Sequence, residues 1–155
     1  MPMQYTVARR IEAQPERVWS MLTNVAGYKQ WNKAVLSIDG QIEPGSTINL
    51  VSMANPKRAF KLMVTAMTKP NLMIWADGMP LGLFRGVRTF HVDPREGVTH
   101  FEMTEVYSGL LAPMFTKAIP DLTESFNVFA DSLKAAAEAP ANAKRFVGFA
   151  LSDRA

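Results

Sequence analysis

Residues 110–138 read LLAPMFTKAIPDLTESFNVFADSLKAAAE. Phe115, Ile119, Leu122, Phe126, Phe129 and Leu133 are spaced four, three, four, three and four apart, which sets them on one helical face. Lys117, Asp121, Thr123, Glu124, Asn127, Asp131 and Lys134 fall between them and suit a solvated face. A helix with three phenylalanines on one stripe has to lie against a wide apolar surface. The runs able to supply that surface all precede it and read as strands. A sheet curled around one long C-terminal helix is the expected architecture. Pro120 lies inside the periodic run, where it removes a backbone donor and clashes with the preceding turn, so it should kink or split the helix.

Composition narrows the class. A chain of 155 residues suits a single domain able to bury most of its apolar surface, here expected over 1–138 with a tail over 139–155. Hydrophobic content of 48% beside 20% charged residues is that of a globular chain. No apolar run reaches the roughly 20 residues that a membrane-spanning helix needs. MPMQYTVARR lacks the apolar centre of a signal peptide, and a cytoplasmic protein is expected. Without cysteine there is no disulfide, thiol nucleophile or thiolate metal site. The net charge is +3, but the basic residues are scattered and make no nucleic-acid footprint.

Taken in order, YTVARRIEA (5–13) alternates as a strand, with Tyr5, Val7, Ile11 and Ala13 on one side and Arg9 as the exception among them. Gln14-Pro15-Glu16 opens a short helix, since proline is at home in the first turn. A second short helix is expected from Thr23-Asn24, both capping residues, carrying Val25, Tyr28 and Trp31. From residue 35 the period becomes two. Strands are expected at 35–40, 46–53, 58–68, 71–77, 84–93 and 98–108, separated by proline and glycine turns and joined as antiparallel hairpins. The sum is an α+β helix-grip fold: a seven-stranded curved antiparallel sheet around a long C-terminal helix, with two short helices after the first strand.

The run IEAQPERVWSMLTNVAGYKQWN (11–32) resembles the opening of the START-like, or SRPBCC, superfamily in its polyketide cyclase/dehydrase and lipid-transport branch. The residues that carry the likeness are Ile11, Ala13, Pro15, Glu16, Val18, Trp19 and Trp31. IEPGSTINL (42–50) is similar to the family's Pro-Gly hairpin, and VYSGLLAPMF (106–115) to its strand-to-helix close. The resemblance implies a cavity between sheet and long helix that takes an apolar or amphipathic small molecule. Family members include carriers, receptors and cyclases, and fold alone does not choose among them.

Strand parity then selects candidate site residues, because alternate side chains point to opposite faces. Phe84, Gly86, Arg88, Phe90 and Val92 form one set, and Thr99, Phe101, Met103, Glu105 and Tyr107 another. Met73, Trp75 and Asp77 are a weaker inward set, since Leu72, Ile74 and Ala76 between them are apolar too. Phe60, Leu62, Val64 and Ala66 read as inward against Met63, Thr65 and Met67. Arg88 and Glu105 are the inward charges. With a turn over 93–97, residue 88 pairs with about 103, so the two meet diagonally. They read either as an anchor for a polar ligand group or as a structural ion pair, with Arg9 a further candidate for the cluster. His91 and His100 point outward. No G-x-S-x-G or glycine-rich phosphate motif is present.

The resulting expectation is a ligand site of Trp31, Trp75, Phe84, Arg88, Phe90, Phe101, Met103, Glu105, Tyr107, Phe115, Ile119, Leu122 and Phe126 around a small hydrophobic or amphipathic ligand (lipid, polyketide or aromatic compound). No catalytic residue, metal or cofactor is assigned. DGMPLGLFRG (77–86) is a candidate lip on the cavity, facing Met114, Phe115 and Ile119. A cyclase or dehydratase working in the same cavity is the alternative. A homodimer built with the tail patch Phe146, Val147, Phe149 and Leu151 is a third reading.

Overall fold

The computed structural model describes residues 3–140. Seven strands form one antiparallel sheet in the order β1-β7-β6-β5-β4-β3-β2. They are β1 (Gln4–Ile11), β2 (Val35–Gly40), β3 (Thr47–Ser52), β4 (Phe60–Thr68), β5 (Leu72–Gly78), β6 (Arg85–Arg95) and β7 (Val98–Ser108). From β2 to β7 every strand pairs with its successor, and β1 closes on β7. The chain crosses from one sheet edge to the other through α1 (Pro15–Thr23), a 3-10 turn (Val25–Gly27) and α2 (Tyr28–Trp31). This is the expected helix-grip arrangement. Among the described residues no helix is long and apolar enough to cross a membrane.

Pro120 does split the C-terminal run. α3 (Ala112–Phe115) is a single turn, and α4 (Thr123–Glu138) begins only after Pro120. The periodic stripe is therefore real over Phe126, Phe129 and Leu133, all buried, while Phe115 and Ile119 belong to the connecting segment and not to the helix face. Leu122 stands at the start of α4, where the Asp121 carboxylate accepts a hydrogen bond from the Thr123 amide at 2.9 Å. At the other end of α4, Arg17 of α1 donates to the carbonyls of Ala137 (2.6 Å), Ala139 (3.0 Å) and Ala136 (3.2 Å). A cation there satisfies carbonyls that the helix itself leaves without donors and opposes its dipole.

Phe129 is the centre of the core. Its ring meets Trp31 at 5.9 Å, Phe90 at 6.0 Å and Tyr28 at 6.5 Å, tying α4 to both α2 and the sheet. Of the expected caps, Asn24 holds the N-cap position of the 3-10 turn that leads into α2, without a side-chain cap bond, while the Thr23 hydroxyl donates back to Trp19 O.

Two registers differ from the expectation. The β6–β7 turn is only Glu96-Gly97, with φ of 51° and 85°, the left-handed pair that a two-residue type I′ hairpin requires. Arg88 therefore faces Glu105 directly and Phe90 faces Met103. In β4 a bulge between Val64 and Ala66 inserts one residue, after which Met67 lies opposite Met73 and packs on the core. Parity carried across the bulge had put Met67 outside. The tail patch Phe146–Leu151 and the dimer built on it lie outside the described residues.

Candidate functional site

The inner faces of β5, β6 and β7 are laid out in register rows. Trp75, Arg88 and Glu105 make one row, and Asp77, Gly86 and Tyr107 the next. On the other side of the Trp75 row lie Met73, Phe90 and Met103, then Val92 and Phe101, all at 0% exposure. α1 and α4 pack over those deeper strands, with Phe129 of α4 lying on Phe90. α4 begins only after Leu122, and that residue lines the space left over the Asp77 row. What remains uncovered is a cavity of about 890 Å³ between the sheet and the segment 115–122. Leu50, Leu62, Trp75, Phe84, Tyr107, Phe115, Ile119 and Leu122 line it, with Asp77, Arg88 and Glu105 among them.

Eight of the thirteen expected site residues line this space: Trp75, Phe84, Arg88, Glu105, Tyr107, Phe115, Ile119 and Leu122. The other five are core. Trp31 packs on Tyr28 and Phe129, Phe90 is buried against Phe129, and Phe101 is fully buried. Met103 and Phe126 border only a void of about 10 Å³, room for about one water. Parity identifies which face a side chain takes; how far the covering helix extends along that face decides whether it meets a ligand.

Arg88 Nε donates to Glu105 Oε1 at 2.6 Å, with the side chains 17% and 14% exposed. The guanidinium lies 4.9 Å from the centre of the Phe126 ring, so α4 shields one of its faces. Arg9 does not join this pair. It bonds Asp131 and Asn127 at 2.8 Å each and clamps β1 to α4. Trp75 is 1% exposed, and its indole N–H is sealed from solvent without a partner among the described residues.

Asp77, from the weaker inward set of β5 and outside the expected site, also lines the cavity. In the structure its carboxyl is pushed up to about 6, first by burial and then by the Glu105 charge, with Arg88 and Arg58 opposing. The Tyr107 phenol is held above its usual range, again by burial first and the Glu105 charge next. Tyr107 stacks on Phe84 (5.7 Å, 15°), and Phe84 meets Phe115 at 5.2 Å. Gly86 lets its two neighbours approach: a Cβ there would stand 3.0 Å from Asp77 Oδ1 and 3.2 Å from Tyr107 Cε1.

The expected lip is pinned at its base and apolar at its tip. The Met79 amide donates to Phe84 O and the Leu111 amide to Leu83 O, both at 2.8 Å. Gly109, at φ 108°, presses so close that a Cβ would meet Gly82 O at 2.6 Å. Leu81 and Leu110 are 96% and 81% exposed at this edge. His91 and His100 lie on the outer face, opposite Glu102 and Asp93.

A family profile described as "Polyketide cyclase / dehydrase and lipid transport" matches residues 2–138. The chain belongs to that family. Solved structures share the fold of this polyketide cyclase/dehydrase and lipid-transport member at low identity. The solution structure of the Aha1 dimer from Colwellia psychrerythraea aligns with a TM-score of 0.66 at 23% identity, covering 89% of this chain and 98% of that one. A protein from Mesorhizobium loti aligns at 0.65 and 21%, covering 85% and 94%. One from Chromobacterium violaceum aligns at 0.64 and 15%, covering 90% and 100%. No curated protein matches the sequence significantly.

Proposed function

We propose that the chain binds one small hydrophobic or amphipathic molecule in the cavity between its sheet and the 115–122 segment, with residues 1–138 acting as the binding domain. The observation that carries this reading is the cavity itself. Its volume of about 890 Å³ lies in the range of small-molecule sites, and its walls are mostly apolar, with Asp77, Arg88 and Glu105 on the sheet and further polar residues such as Asn55, Arg58 and Lys61 around it. Arg88 and Glu105 neutralise each other there and give the wall a fixed polar feature without a net charge. Family membership supports the reading, since lipid transport is part of the family's description.

An enzyme of the cyclase or dehydratase type is the second reading, and one observation favours it. A carboxyl shifted to about 6 and placed beside a phenol can give and take protons near neutrality. Turnover would then change through that midpoint, and Asp77→Asn would abolish it.

Native mass spectrometry of the freshly purified full chain, followed by denaturing extraction, tests the binding reading. The expected result is one co-purifying apolar molecule per chain, or its uptake from an added amphiphile. A chain that stays empty in the presence of lipids, fatty alcohols and polycyclic aromatics overturns it.

A further inference from the structure

We propose that the polar end of the cavity is a subsite for a protonated amine, with Asp77 as its counter-charge and the rings of Phe84, Tyr107 and Phe115 as its walls. The inference rests on the binding reading above and adds the chemistry of the ligand's head.

The inner face of the sheet brings two carboxyls and one guanidinium to this end of the cavity. Arg88 is committed, bonded to Glu105 at 2.6 Å and laid on the Phe126 ring. Asp77 accepts no hydrogen bond from any described residue. The groups facing it are Glu105 and Tyr107 from β7, Arg88 from β6, and Arg58 from the loop before β4. Arg58 is exposed and rests on the Phe60 ring at 4.9 Å. One carboxylate is left over, on a wall where an unpaired charge is costly to desolvate. A ligand cation would supply the missing partner.

Because residue 86 is glycine, the Asp77 carboxylate and the Tyr107 ring approach each other across β6. Tyr107 is stacked on Phe84, which in turn meets Phe115. One carboxylate beside an aromatic cluster is the chemistry that suits an ammonium group, since aromatic rings attract cations and do not hold their hydration shell. Leu50, Leu62 and Ile119 offer the apolar tail its surface. A carboxylate ligand would meet Asp77 and Glu105 instead. The cations left for it, Arg58, Lys61 and Arg85, are exposed at the mouth and screened by solvent.

The experiment is displacement of the uncharged probe N-phenyl-1-naphthylamine by decylamine, decanol and decanoate, with direct calorimetry of the three amphiphiles. Above the Asp77 midpoint of about 6, decylamine should bind about tenfold more tightly than decanol, and decanoate most weakly. Lowering the pH below that midpoint should remove the advantage of the amine, because a protonated Asp77 offers no charge. Asp77→Asn should bring decylamine to the level of decanol at every pH. Gly86→Ala, which crowds Asp77 and Tyr107, should weaken decylamine more than decanol. Decanoate binding most tightly, or decylamine unaffected by Asp77→Asn, overturns the amine subsite and leaves the cavity's binding role standing. Failure of the probe and of all three amphiphiles to bind overturns the binding reading itself.

Discussion

Asp77 holds its proton more tightly in the folded chain than in the unfolded one, where the carboxyl titrates near its ordinary 3.8. The stability tied to this proton is complete below about 3.8 and is lost as pH rises through about 6. Asp77→Asn should therefore stabilise the protein above that midpoint, by on the order of 1 kcal/mol after allowance for the partial exposure of the group, and do little in acid. Denaturant melts on either side of the midpoint check this; equal effects at both would contradict it. Arg88 behaves differently. Arg88→Met strands the Glu105 charge on the cavity wall and should cost about 3 kcal/mol, whereas Arg88→Met with Glu105→Met should recover most of the loss. A double-mutant cycle with no coupling would contradict the pairing. Arg88 and Glu105 were legible because each is the lone charge in an otherwise apolar inward set. Asp77 was not, because β5 is apolar on both faces, and its role depends on a glycine one strand away.

Among the elements, α4 depends on a residue distant in sequence. Arg17 supplies the donors to its last carbonyls, so Arg17→Met should destabilise the protein by about 2 kcal/mol and loosen the end of the helix, visible as faster amide exchange over residues 134–139. Nothing in the α4 sequence announces this, because the donor comes from α1. The β6–β7 hairpin is more local. Gly97 at φ 85° makes Gly97→Ala cost about 1 kcal/mol, while Glu96→Gly should be neutral or slightly stabilising. Thermal melts of the two variants should move accordingly. The strand positions were readable from period-two alternation and turn residues. The turn's length was not, and it moved Arg88 from a diagonal to a direct contact with Glu105. The extra residue in β4 likewise flips parity beyond Val64, and apolar Met67 carries no sign of the change.

For the molecule as a whole, the division between sealed core and open cavity follows from one event in the chain. Pro120 ends helical continuity, α4 starts at Thr123, and the sheet rows beyond its reach stay uncovered. The order of strands and helices, their antiparallel pairing and the grip on the C-terminal helix were all present in the sequence pattern. The outline of the cavity was not, because Phe90 and Phe84 have the same parity and similar chemistry and differ only in what lies above them. The central claim is that the uncovered rows hold a small apolar ligand. The measurement that tests it most directly is a fluorescence titration of N-phenyl-1-naphthylamine into the wild-type chain and into Leu62→Trp, whose larger side chain occupies the cavity wall. Saturable binding at one site in the wild type, weakened at least about tenfold in the variant with its fold intact by circular dichroism, is expected. No saturable binding, or equal binding by both proteins, would contradict it.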